Sequence, residues 1–214
     1  MNRSSVRSTL WATLLGAALA LPAAARAQSV EPPVSLAPAS EISAQDKEVL
    51  ATASQLAVEA AQIMERWLAA KEITEEKLRA RLYFPIAATD PVKFTTEYDG
   101  LADRDFAAPQ EKALARSTAY VYAVISDLNG YIPTHNQKFA QPLTGNLAMD
   151  LVNNRTKRIF GDRTGITAAR STTPYLIQKY ERDTGEPLTD LSVPVMVRGK
   201  RFGTVRIGYT REAR

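Results

Sequence analysis

The chain has 214 residues, with 27 lysines and arginines against 23 acidic residues, a formal charge of +4, one histidine and no cysteine. The lack of cysteine excludes a disulfide framework, a thiol nucleophile, a cysteine-based metal site and a lipid-modified amino terminus. The surplus charge lies in Arg3, Arg7 and Arg26, which have no acidic partner nearby; the rest carries 24 basic and 23 acidic residues, a balance that argues against a nucleic-acid surface.

Arg3 and Arg7 precede an apolar run, Leu10 to Ala24, which ends at Ala25-Arg26-Ala27. This is the layout of a cleaved secretory signal, so residues 1–27 are expected to be removed and the protein to be periplasmic or secreted. The run falls short of the roughly 20 residues of a spanning helix, and Pro22 interrupts it. Residues 28–44, with Pro32, Pro33 and Pro38 among small side chains, read as an extended tether. The remaining length suits one domain, 45–210, made of a long helix 45–70 and a sheet portion 75–210.

From Gln45 the apolar residues Val49, Ala53, Leu56, Ala60, Ile63 and Trp67 recur at steps of four and three, with Leu50, Ala57, Met64 and Leu68 widening the stripe. They predict an amphipathic helix on the order of 40 Å long, with Ser43 and Asp46 as candidate caps. Its stripe either packs on the protein's own sheet or docks a second copy or a membrane receptor; fewer than four heptads favours the first. Thr74-Glu75-Glu76 starts a short helix to about Arg81, and Pro85 and Pro91 hold the following chain extended. Another short helix spans Pro109 to Arg116.

A strand from Tyr120 to Ser126 runs into Asp127, turns at Asn129-Gly130 and returns briefly near Tyr131. Leu147 to Asn153 predicts a helix with Leu147, Leu151 and Val152 inward, and Gly161 to Gly165 a turn cluster. Strands follow at Tyr175–Glu181, Asp190–Val197 and Phe202–Tyr209, the last two joined through Arg198-Gly199-Lys200. The fold class is therefore α+β, an antiparallel sheet of about five strands with a long N-terminal helix.

No nucleophile elbow, phosphate loop, zinc helix or dinucleotide fingerprint occurs, and a single histidine excludes a histidine-rich metal site. Asp127, Asp162, Asp183 and Asp190 are acid–base candidates by type, yet none has the spacing of a catalytic pair. The chain is thus expected to be neither an enzyme nor a cofactor protein, with a carboxylate-dependent hydrolase the residual enzymatic alternative. Arg155, Lys157, Arg158 and Arg163 form the densest basic stretch: either a solvated face or a pocket wall whose guanidinium forks hold a carboxylate. Tyr120, Tyr122, Tyr175 and Tyr180 offer flat walls with a hydroxyl, and alternation puts Tyr120 and Tyr122 on one face. His135 sits either at a pocket mouth or within the hydrogen bonding of the Thr134-His135-Asn136 loop, while Asp127 reads as a turn former that accepts backbone N–H groups. The candidate ligand-binding set is Tyr120, Tyr122, His135, Arg155, Lys157, Arg158, Tyr175 and Tyr180.

The motif Asp127-x-Asn129-Gly130-Tyr131-x-Pro133-Thr134-His135-Asn136 resembles the sensory region of bacterial methyl-accepting chemotaxis receptors with a single Cache (extracellular PAS-like) domain. Tyr83-Phe84-Pro85-Ile86 to Pro91, Asn154 to Phe160, Gln178 to Glu186, Val193-Pro194 and Gly203 to Tyr209 extend the likeness over roughly 45–209. The resemblance implies a PAS-like sheet crossed by the long helix, a pocket on the covered face and a small polar ligand, an organic acid being favoured. It implies signalling through a partner, but only Thr-Arg-Glu-Ala-Arg follows Tyr209, so no membrane span or cytoplasmic region is expected there. An envelope protein with a structural or interaction role and no ligand is the rival expectation.

Overall fold

The computed structural model describes residues 42–211, so the expected signal segment and residues 28–41 of the tether lie outside the described residues. Helix α1, Ala44–Ala69, opens on Ser43, whose hydroxyl accepts the Asp46 amide at 3.0 Å, and its alanine-rich sequence contains neither glycine nor proline. Helix α2, Glu75–Arg79, is capped in the same way by Thr74. Strands β1, Phe84–Ile86, and β2, Lys93–Thr95, bracket the proline-bounded loop and pair antiparallel as a small ladder of their own.

Helices α3, Asp99–Asp105, and α4, Ala107–Leu114, follow. The first has no counterpart in the sequence reading, because seven residues are too few to show a period. Strand β3, Tyr120–Asp127, then leads to β4, Tyr131–Ile132, and helix α5, Leu147–Asn153, to β5, Arg158–Ile159. Helix α6, Arg163–Arg170, precedes the closing strands β6, Leu176–Glu181, β7, Pro187–Val197, and β8, Lys200–Tyr209.

The main sheet is antiparallel, in the order β3-β8-β7-β6. It has four strands rather than five, because β4 pairs with β5 through Tyr131↔Ile159 and Ile132↔Arg158 instead of adding to the edge. One face packs on the stripe of α1, where Leu191, Val195, Val205, Ile207 and Phe202 meet Val49, Leu56, Ile63 and Trp67. Fully burying each such side chain contributes about 1.5–3 kcal/mol. The long helix thus buries its apolar stripe on its own sheet. The opposite face carries a second, smaller cluster of Tyr122, Val124, Ile132, Phe139 and Leu188.

Three local expectations need correction. The Gly161–Gly165 cluster is the start of α6 as well as a turn, because Asp162 accepts the Gly165 amide at 3.0 Å and caps a helix there. Helix α5 presents Leu147, Met149 and Val152 to solvent; its buried residue is Asp150, whose carboxylate takes the Thr144 and Gly145 amides at 2.8 and 3.0 Å. Those amides belong to the turn before the helix, so a polar anchor, not an apolar one, sets its orientation.

Strand β3 does not alternate throughout, contrary to expectation. Tyr120 pairs with Tyr209 and Tyr122 with Gly208, so two steps on β3 match one on β8, and Val121 is the extra residue of a bulge. The bulge breaks alternation. Tyr122 joins the smaller cluster, whereas Tyr120 turns to the α1 side, its hydroxyl 3.4 Å from Thr52 Oγ1.

Candidate ligand site on the sheet face away from helix α1

Four strands supply the floor. Asp190 Oδ2 accepts the Tyr122 hydroxyl at 2.6 Å and Arg206 Nε at 2.9 Å, and Tyr180 donates to the Tyr122 oxygen at 2.9 Å. Burial lowers the Arg206 pKa, but the adjacent Asp190 carboxylate outweighs it and pushes the guanidinium pKa up. Asp190 itself is fully buried, and its second oxygen, Oδ1, has no hydrogen-bond partner. Gly208 makes this floor possible: a Cβ there would stand 2.2 Å from the Tyr122 ring.

The segment after the hairpin closes over it. Asp127 Oδ1 accepts the Asn129 and Tyr131 amides at 2.8 and 3.0 Å, and Gly130 adopts φ +76° against the Phe160 carbonyl. Asn136 Oδ1 and Gln110 Oε1 then take the Ala123 and Ile125 amides of edge strand β3 at 2.7 and 2.9 Å, which fixes the loop and blunts the sheet edge together. His135, next to Asn136 in the chain, lies buried, edge-on to Tyr122 and Phe139. Its Nδ1 accepts the Asn136 amide at 2.8 Å, leaving the proton on Nε2. Burial first, then the charges of Arg155, Arg182, Arg158 and Lys138, hold its pKa well below the ordinary imidazole value.

Three guanidiniums complete the site. Arg155 donates through Nη2 to both Asp183 oxygens at 2.9 and 3.1 Å and through Nη1 to the Leu151 carbonyl at 3.1 Å, and lies over the Phe160 ring. Arg158 covers the same ring, with Nη2 3.5 Å from Asp183. Arg182 covers Phe139 and reaches Glu186 at 3.7 Å, while its Nη2 is buried with no partner. Behind them Lys93 anchors the segment, giving its ammonium protons to the Thr156 and Asn154 carbonyls at 2.6 and 3.4 Å; burial, then Arg158 and Lys157, push its pKa down to about 8.

Of the residues singled out by sequence, Tyr122, His135, Arg155, Arg158 and Tyr180 come together here. Tyr120 does not, for the reason given by the bulge. Lys157 does not either: with φ +60° it turns away from its neighbours and bonds Asp103 at 2.7 Å, Asp99 at 3.3 Å and the Pro133 carbonyl at 3.0 Å. Tyr175 precedes β6 on the parity of Ile177, which packs on the α1 side, and its carbonyl accepts the Thr173 hydroxyl at 2.7 Å. Arg163 opens α6. Among the acidic candidates, Asp127 shapes the hairpin, Asp162 caps a helix, and only Asp183 and Asp190 belong to the site.

Arg206, Phe139 and Phe160 were not candidates by sequence, and Arg182, whose place beside Asp183 suggested only structural pairing, belongs to the site as well. Arg206 had a signal: a charge between Val205 and Ile207 in a strand paired on both sides must find a counter-charge, and Asp190 is the diagonal neighbour on β7. Among the described residues no three acidic or histidine side chains converge as a metal set. What the arrangement offers chemically is anion recognition by guanidinium donors, since the Tyr180 and Tyr122 hydroxyl protons are already given to Tyr122 and Asp190. Compared with known proteins, the chain matches no family model and no curated protein.

Proposed function

We propose that this chain is an exported, ligand-binding sensory domain of the single Cache type, without enzymatic activity, which takes a small organic acid on the sheet face away from α1 and passes its occupied state to a partner. The observation that carries the reading is the convergence of the buried Arg155 and Arg182 and the half-buried Arg158 beside a neutral His135 and the hydroxyls of Tyr122 and Tyr180. A buried donor left without a hydrogen bond is costly, and Nη2 of Arg182 has no partner although its Nη1 reaches Glu186 at 3.7 Å. The Cache-like motifs 127–136 and 154–160 carry His135 and both Arg155 and Arg158, which supports the single Cache reading.

Transmission has a physical route. Asp190 and Arg206 face the ligand side while their neighbours Leu191, Val205 and Ile207 face α1, so a shift of the ionic pair displaces the helix seat. Isothermal titration of the exported form against acetate, succinate and malate tests the binding. One acid is expected to bind saturably, and Arg158→Ala to weaken it about 10–100-fold, as the loss of a charged hydrogen-bond pair does. If none of the acids binds and Arg158→Ala alters only the melting temperature, the reading fails.

A further inference from the structure

We infer that Asp183 is a tethered competitor for the incoming acid: its carboxylate occupies the seat on Arg155 and Arg158 that a ligand carboxylate takes, and binding swings the turn between β6 and β7 outward. This rests on the binding role proposed above and adds its regulation.

Asp183 lies in the turn, not in a strand. The turn is closed by the Gly185 amide on the Arg182 carbonyl and the Arg182 amide on the Glu186 carbonyl, each at 2.9 Å, with Gly185 at φ +91°. The Asp183 side chain is 37% exposed, whereas those of Arg155 and Arg158 are 7% and 11% exposed. The carboxylate therefore reaches inward from the surface to two cations that belong to the interior. Both guanidiniums also touch the Leu151 carbonyl and the Phe160 ring, and neither of those carries a charge. Burial and the neighbouring Arg155 drive the Arg158 pKa down, and Asp183 is the group that opposes them.

The present fit is poor for such a pair. A single nitrogen of Arg155 serves both Asp183 oxygens, and the nearest Arg158 nitrogen stands at 3.5 Å, so neither guanidinium makes the parallel two-nitrogen fork that a carboxylate prefers. A free carboxylate is not held by the turn and can align with a fork. The exchange replaces one carboxylate by another, so the buried charge balance is unchanged while Asp183 moves into water beside the exposed Glu186. Arg182, next to it in the chain, has a buried donor ready for a further oxygen of the ligand.

Titration of wild type and Asp183→Asn with acetate, succinate and malate reads this directly. A seat vacated by its internal occupant binds tighter in proportion to the fraction freed, and about tenfold is expected. Equal or weaker binding by Asp183→Asn, with the wild type still binding, overturns the competitor role and leaves the binding role standing. Absence of binding in both proteins overturns both. Should the variant fail to fold, hydrogen exchange on the wild type gives the same answer: the amides of Arg182 and Gly185 should exchange faster with acid bound, and unchanged or slower exchange overturns the proposal.

Discussion

His135 folds in its neutral form without taking up a proton, because its Nδ1 is already an acceptor and four cations surround it. In the unfolded chain it titrates near 6.5. Between that value and its depressed folded pKa the unfolded state binds more protons, so stability falls as the pH drops below about 6.5. Urea midpoints measured from pH 7.5 to 5 should decline for the wild type and decline less for His135→Gln. Parallel slopes would mean that another group sets the acid sensitivity. Sequence offered His135 either a loop role or a site role; its ring is held by the loop and lies among the arginines at once. Lys157 falls outside the site although its neighbours belong to it, because the backbone conformation that turns it from Arg155 and Arg158 leaves no mark in residue type.

At the scale of elements, the close approach of β3 and β8 sets the site's floor. Gly208→Ala puts a methyl into the Tyr122 ring, and overpacking of this kind costs about 1–3 kcal/mol. Chemical denaturation should show that loss together with weaker acid binding, since Tyr122 aligns Asp190. An unchanged midpoint would show that the ring moves aside freely. Long elements were legible in the sequence: α1 and the β7–β8 hairpin follow from stripe, cap and glycine at the turn, where Arg198 and Gly199 both take positive φ. Elements set by partners were not. The β4–β5 pairing, the Val121 bulge and the polar anchoring of α5 depend on contacts between distant residues, and alternation within one strand cannot report them.

Across all the described residues, one sheet separates two unlike layers, an apolar one under α1 and a charged one on the far side. Trp67, the one tryptophan among the described residues, sits in the first layer, its indole N–H donated to Asp105 at 2.5 Å and its ring 5.0 Å from Phe106. If occupancy of the charged layer shifts the helix, Trp67 emission should change on adding a bound acid. An emission that stays constant while calorimetry registers binding would confine the response to the site. The cationic site was half legible: the basic stretch announced Arg155 and Arg158, and the aromatic residues announced Tyr122 and Tyr180, while Arg206 meets Asp190 only through strand pairing and Arg182 enters from the turn after β6.

The sheet's last strand also closes a loop in the chain's path. Gln45 donates to the Thr210 carbonyl at 2.9 Å, Asp46 accepts Arg211 at 2.9 Å, and the Tyr209 hydroxyl bonds Asp46 as well. Where the described segment starts and where it stops are thus neighbours, clasped by a carboxylate. Such a layout suits circular permutation and grafting into a host's surface loop, since both junctions fall at one point and neither stretches the scaffold.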